Sequence, residues 1–103
     1  MDKNAALEVI REFRNALETG NVKVDKIILF GSYAAGTQRE GSDIDIAVIS
    51  KDFRGKPYWE RIEILTEAIY KVFQPIEAFA FTPEEWEKGD KLILHYANEG
   101  ELM

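Results

Sequence analysis

Over residues 4–19 the apolar positions Ala6, Leu7, Val9, Ile10, Phe13, Ala16 and Leu17 recur at helical spacing, and Gly20 follows as a stop. That pattern predicts a first helix with one buried stripe and a solvated face of Glu8, Arg11, Glu12, Arg14, Asn15 and Glu18. Residues 24–30 predict a strand whose Ile27, Ile28, Leu29 and Phe30 are apolar on both faces, as in a central strand covered on both sides. A short helix is expected over 33–37, a polar connector over 38–41, and a second strand over 44–49. After a loop at 50–56, Pro57 fits the first position of a long helix ending near Phe73. Its expected core stripe is Ile62, Leu65, Ile69, Val72 and Phe73, with Tyr58 and Trp59 as further candidates. Pro75 breaks the helix, and residues 76–81, IEAFAF, predict a third strand. Thr82-Pro83-Glu84-Glu85 reads as a capping box opening a last helical region through Asn98, with Gly89 as a point for a kink and Gly100 as its stop.

The order αβαβαβα predicts an α/β chain of the mixed α+β kind: a small three- to four-stranded mixed sheet with helices packed on it. The second and third strands flank a helix of about four turns, the crossover of a parallel pair. The polar groups at the end of strand one and the start of strand two meet only if those strands run antiparallel. That arrangement sets Glu77, second residue of strand three, beside Asp45.

With 103 residues and 46% hydrophobic content the chain is expected to form one domain, residues 1–103. It has no cysteine, so neither a disulfide framework nor a thiolate zinc site is available, which fits a reducing compartment. Charges at Asp2, Lys3, Glu8, Arg11 and Glu12 interrupt the apolar core a signal peptide needs, and no run reaches transmembrane length. A cytoplasmic, membrane-free protein is expected. The formal net charge of −6 disfavours non-specific nucleic-acid binding, yet it leaves room for one nucleotide carried in with its own metal ions. Exposed sheet edges on so small a domain give it a tendency to form a homodimer.

Between the first two strands lies GSYAAGTQREGSDID, residues 31–45. Gly31 lacks a Cβ and allows close approach to a ligand, and Ser32 can cap the short helix whose free N–H groups face an anion. Asp43 and Asp45 sit two apart at a strand entrance, so both carboxylates point to one face. Their Cα atoms are about 6.6 Å apart on a strand, a base from which carboxylates can converge on ions about 4 Å apart. Without metal, a third acid beside them means mutual repulsion and at least one raised pKa.

Gly31-Ser32, Gly36 and Ser42-Asp43-Ile44-Asp45-Ile46 together resemble the signature of the nucleotidyltransferase superfamily of the DNA polymerase β type, and the short chain is similar to its minimal nucleotidyltransferase group. Many members of that group pair with a helical partner of the HEPN type and act as its antitoxin. The resemblance implies that Asp43, Asp45 and Glu77 are catalytic and hold two Mg²⁺ ions, and that Gly31, Ser32, Gly36 and Ser42 bind nucleotide. It implies transfer of AMP from ATP to a hydroxyl of the HEPN-type partner. Two positions depart from the family's pattern: Glu77 stands where aspartate is usual, and Ala35 where many relatives carry a basic residue. A phosphate contact is then either missing or supplied by Arg39 or Lys56, and the residues do not choose between them.

These departures keep a binding module in play, an antitoxin of weak or no activity that neutralises its partner by stoichiometric contact. His95, the only histidine, is expected to be structural, as are Tyr58, Trp59, Trp86 and Tyr96, which suit core or edge packing better than an adenine shelf. Neither a P-loop nor a Gly-x-Gly-x-x-Gly run is present.

Overall fold

The computed structural model describes residues 1–89 and, for the backbone alone, residues 101 and 102. The first helix, α1, spans Lys3–Thr19; Asp2 caps it by accepting a hydrogen bond from the Ala5 N–H at 2.8 Å. Strand β1 is Lys26–Phe30, the short helix α2 Gly31–Ala35, and strand β2 Ile44–Ile49. A 3-10 turn at Lys51–Phe53 leads to α3, Tyr58–Val72, then β3, Ile76–Phe81, and α4, Pro83–Lys88. The backbone of Glu101–Leu102 forms β4.

The strands make one four-stranded sheet in the order β3-β2-β1-β4. β1 and β2 pair antiparallel, with Phe30 opposite Asp45; β2 and β3 pair parallel, with Asp45 opposite Glu77. Both relationships match the expected topology, and β1 and β2 are the interior strands. The alternation of each strand divides the side chains between two layers. Ile27, Leu29, Ile44, Ile46, Val48 and Ile76 turn toward the main core with Phe13 and Leu17 of α1 and Leu65 and Ala68 of α3. Ile28, Phe30, Ala47 and Ile49 face the other way, joined by Phe79, Phe81 and, from α4, Trp86. Asp45 and Glu77 alternate onto this second face.

Four expectations change. α2 begins at Gly31 rather than Tyr33, and its cap position is Phe30, with no side-chain capping bond; Ser32 lies inside the helix and does not cap it. Pro57 is the cap residue of α3 rather than its first helical residue. Tyr58, Trp59 and Phe73 are 70%, 64% and 84% exposed, because the core-facing arc of α3 is centred on Leu65 and Ala68, with Ile64, Ile69 and Val72 at its margins. The capping box of α4 is present, but Gly89, at φ 75°, ends the helix at Lys88. The expected continuation through Asn98, with His95, Tyr96 and Gly100, lies outside the described residues. No helix among the described residues is long and apolar enough to cross a membrane.

Candidate active site

The antiparallel β1–β2 pair brings the end of β1 over the start of β2, and the parallel β2–β3 pair sets the start of β3 alongside. The backbone between α3 and β3 is tied in as well: the Ile44 N–H, between the two aspartates, donates to the Pro75 carbonyl at 2.8 Å. The sheet thus gathers Gly31, Asp43, Asp45 and Glu77 at one end.

Gly31 and Asp45 lie directly against one another. Gly31 has φ +72°, and a Cβ on it would lie 2.2 Å from Asp45 Oδ2, 3.1 Å from its Cγ and 3.3 Å from its Cβ. Glycine is therefore required twice, by the left-handed backbone and by the carboxyl group lying against it. The sequence motif assigns this glycine to a ligand; in the fold its missing side chain makes room for Asp45.

Asp45 is half-buried, whereas Asp43 and Glu77 are exposed. Burial pushes the Asp45 carboxyl up from 3.8 to about 6, and the Glu77 charge, a hydrogen bond shared with Glu77 and the Asp43 charge push the same way. This is the raised pKa expected of a repelling acid group, located on one member. The three acids occupy one sheet end without closing on a point: among the described residues no three His, Cys, Asp or Glu side chains enclose a metal position. The donors are nonetheless of the type a hard divalent cation takes, all carboxylate oxygens, and a cation would relieve the repulsion that raises Asp45. The acids fit such an ion.

The other expected nucleotide ligands have local tasks. Gly36, at φ 76°, caps α2 at its C-terminus, its N–H donating to the Ser32 carbonyl; open space surrounds the place its Cβ would take. Ser42 Oγ accepts from the Arg39 N–H at 2.9 Å while the Ser42 N–H donates to the Arg39 carbonyl at 3.0 Å, closing the turn before Asp43. Of the two basic candidates, Arg39 belongs to this turn at the acid end. Lys56 follows the opposite end of β2, about 20 Å of strand away, and its Nζ donates to the Asp52 carbonyl at 2.7 Å.

Beyond the acids the same face turns apolar. Phe30, opposite Asp45, packs its ring 5.9 Å from that of Phe79, two residues beyond Glu77. A cavity of about 560 Å³ lined by Tyr58, Arg61, Phe79, Phe81, Glu85 and Lys88 continues along β3, and Asp43, Asp45 and Glu77 do not line it. Phe79 was not singled out from the sequence, where its signal was the period-2 spacing from Glu77, and Phe30, read there as one of the apolar residues of the first strand, reaches the same face as the cross-strand partner of Asp45.

A family model described as a nucleotidyltransferase domain matches residues 10–101. Among individual proteins, the chain is similar to the protein adenylyltransferase MntA of Shewanella oneidensis, 46% identical over 48 residues, which cover 46% of this chain and 34% of the relative. It is also similar to a Methanocaldococcus jannaschii protein assigned as a protein adenylyltransferase, 43% identical over 47 residues, 45% of this chain and 48% of the relative. The matched stretches thus span about half the length of these curated relatives or less. Among solved structures, a chain of a toxin–antitoxin crystal structure with AMP-PNP has the same fold, with TM-score 0.60 and 23% identity over 99% of this chain and 72% of that one. A Sulfolobus solfataricus protein assigned to the nucleotidyltransferases superposes with TM-score 0.73 at 17% identity, covering 97% of this chain and 80% of that one.

Proposed function

The chain belongs to the nucleotidyltransferase domain family, and from that premise we propose that it transfers AMP from ATP to a hydroxyl of a protein partner, acting as the antitoxin of a helical, HEPN-type toxin in the cytoplasm. The observation that carries the proposal is the register that sets Asp45 beside Glu77, with Asp43 at the same strand entrance. The similarity to a protein named adenylyltransferase, and to a chain solved with AMP-PNP in a toxin–antitoxin structure, supports the choice of donor and partner.

Asp43, Asp45 and Glu77 would hold Mg²⁺, two ions in this proposal, which when bound neutralise phosphate charge and lower the barrier to displacement. The acceptor oxygen forms a bond to the α-phosphorus while the bond from that phosphorus to the bridging oxygen of the β-phosphate breaks, and pyrophosphate leaves. The proton of the acceptor hydroxyl passes to a carboxylate of the cluster. Arg39 and the uncapped first turn of α2, at Gly31 and Ser32, supply positive potential at the same sheet end.

A stoichiometric neutraliser is the second function that fits, favoured by the glutamate at position 77 and by the open spacing of the three acids. The test is incubation with Mg²⁺, ATP and a HEPN-type helical protein as the acceptor, read by intact-mass spectrometry. A gain of AMP units on the partner, lost in Asp45→Ala, is the expected result; neutralisation with no mass gain would favour the second function.

A further inference from the structure

The helix α3 presents an aromatic face to solvent. Tyr58, Trp59, Tyr70 and Phe73 are 70%, 64%, 73% and 84% exposed, four of the five large apolar side chains that are exposed among the described residues. At about 100° per residue the four fall within roughly 120° of arc, along about 22 Å of helix, with the half-buried Ile62 and Ile69 between them. At its C-terminal end the row borders a concavity of about 300 Å³ lined by Ile69, Tyr70, Phe73, Gln74 and Pro75. Single exposed apolar side chains are ordinary, whereas two exposed aromatic pairs at the two ends of one helix face, with Ile62 and Ile69 between them, form an apolar strip of the kind that marks an interaction surface.

Phe73 adds an independent observation. It is the C-cap of α3 at φ 57° and ψ 49°, a left-handed conformation in which glycine is unstrained and a bulky residue is not. Stability alone would place glycine there, so an exposed phenylalanine at that position points to a contact outside the fold. The location fits the chemistry too. Two residues on, the Pro75 carbonyl accepts from the Ile44 N–H between Asp43 and Asp45, so this end of the row adjoins the acid cluster.

Charge selects the occupant. Glu60, Glu63 and Glu67 run along one flank of the row, followed by a single basic residue, Lys71, in a chain of net charge −6. Two copies laid antiparallel across this face would bring their acidic flanks together, which disfavours a second copy. The complement is a helix with an apolar face edged by lysine or arginine. We propose that the aromatic face of α3 is the docking surface for a basic amphipathic helix of the protein acceptor, seating it next to the acid cluster; this rests on the reading of the chain as a transferase acting on a protein.

The test uses two synthetic helical peptides with the same leucine face, one with a lysine and arginine edge and one with a glutamate edge. In a Trp86→Phe background Trp59 is the only tryptophan, and its emission reports binding. The basic peptide is expected to shift Trp59 emission to the blue and to bind at least about tenfold more tightly than the acidic one. Phe73→Gly and Tyr70→Ala should each weaken it about tenfold, with Phe73→Gly melting at an equal or higher temperature, a combination that a packing role does not produce. Equal affinity for the two peptides, no binding of the basic one, or unchanged binding in Phe73→Gly and Tyr70→Ala would overturn the proposal. So would a wild-type dimer in sedimentation that Phe73→Gly abolishes, since it assigns the face to a second copy. Calorimetry of ATP with Mg²⁺ separates the two levels: it should be unchanged in the α3 variants, and its failure in the wild type would remove the transferase reading without touching the peptide result.

Discussion

Gly31 and Asp45 are fitted to one another: the position a side chain would take on residue 31 lies 2.2 Å from the carboxyl oxygen of residue 45. The aspartate can hold its place against the end of β1 only because residue 31 has no Cβ. Gly31→Ala should therefore cost about 1 kcal/mol for its positive φ and further energy for displacing the carboxyl group. The contributions separate in a double-mutant cycle. In an Asp45→Ala background, denaturant unfolding should show Gly31→Ala costing only the backbone part, whereas additivity would mean the two residues are not coupled.

Asp45 makes stability depend on pH with a defined sign. Its folded pKa, about 6, lies above its ordinary 3.8, so between these values the folded state binds more protons than the unfolded one. The protein should lose stability as pH rises from about 4 to about 6, and stay at the lower level above that. Because Asp45 is half-exposed, solvent screening limits the loss to on the order of 1 kcal/mol. Asp45→Asn should thus melt about 4–8 °C above the wild type at pH 7.5 and close to it at pH 4. Thermal melts at the two pH values check this, and Mg²⁺ should raise the wild-type melting temperature at pH 7.5 while leaving Asp45→Asn unmoved.

Glu77→Gln removes the strongest charge acting on Asp45 but leaves its burial. The Asp45 carboxyl should move down from about 6 without reaching 3.8, because burial is the larger cause. A carboxyl-detected NMR titration reads it directly. Full return to the ordinary value would mean that charge, rather than burial, dominates.

Arg61 holds the base of α3 to the start of α4. Its Nε donates to the Lys56 carbonyl at 3.0 Å, its guanidinium pairs with Glu85 at 2.6 Å, and it lies 5.9 Å from the centre of the Phe53 ring. Glu85 also accepts from the Thr82 N–H, so the capping box and the ion pair share one carboxylate. The arginine side chain is only 12% exposed, and Arg61→Ala should destabilise by about 2 kcal/mol, seen as a melting temperature lower by roughly 10 °C. The Arg61 hydrogen bond is the chief cause holding the Glu85 carboxyl below its ordinary range, so this contribution is present at neutral pH and fades as pH falls through that lowered pKa.

The topology was legible because few arrangements satisfy it. A Gly-Ser after one strand and Asp-x-Asp opening the next meet only across an antiparallel pair, and a helix between strands two and three calls for a parallel crossover. The placement of Glu77 beside Asp45 followed from those two facts alone. What the sequence could not supply was the phase of α3: Tyr58, Trp59 and Phe73 are apolar at helical spacing, and only the packing of Leu65 and Ala68 against the core shows that they fall outside the buried arc. The task of Gly31 was hidden for a related reason. Its neighbour Asp45 is fourteen residues away in sequence, and motif spacing reports that both are present without reporting their contact. Likewise β4, two residues at Glu101–Leu102, is too short to carry any periodic signal.

The most direct test of the central claim is calorimetric titration of ATP in Mg²⁺ into the wild type and into Asp43→Ala/Asp45→Ala, with the fold of both checked by circular dichroism. The acid cluster predicts saturable binding to the wild type that chelation of Mg²⁺ removes and that the double variant lacks. Equal binding by both proteins, or none by the wild type, would contradict it.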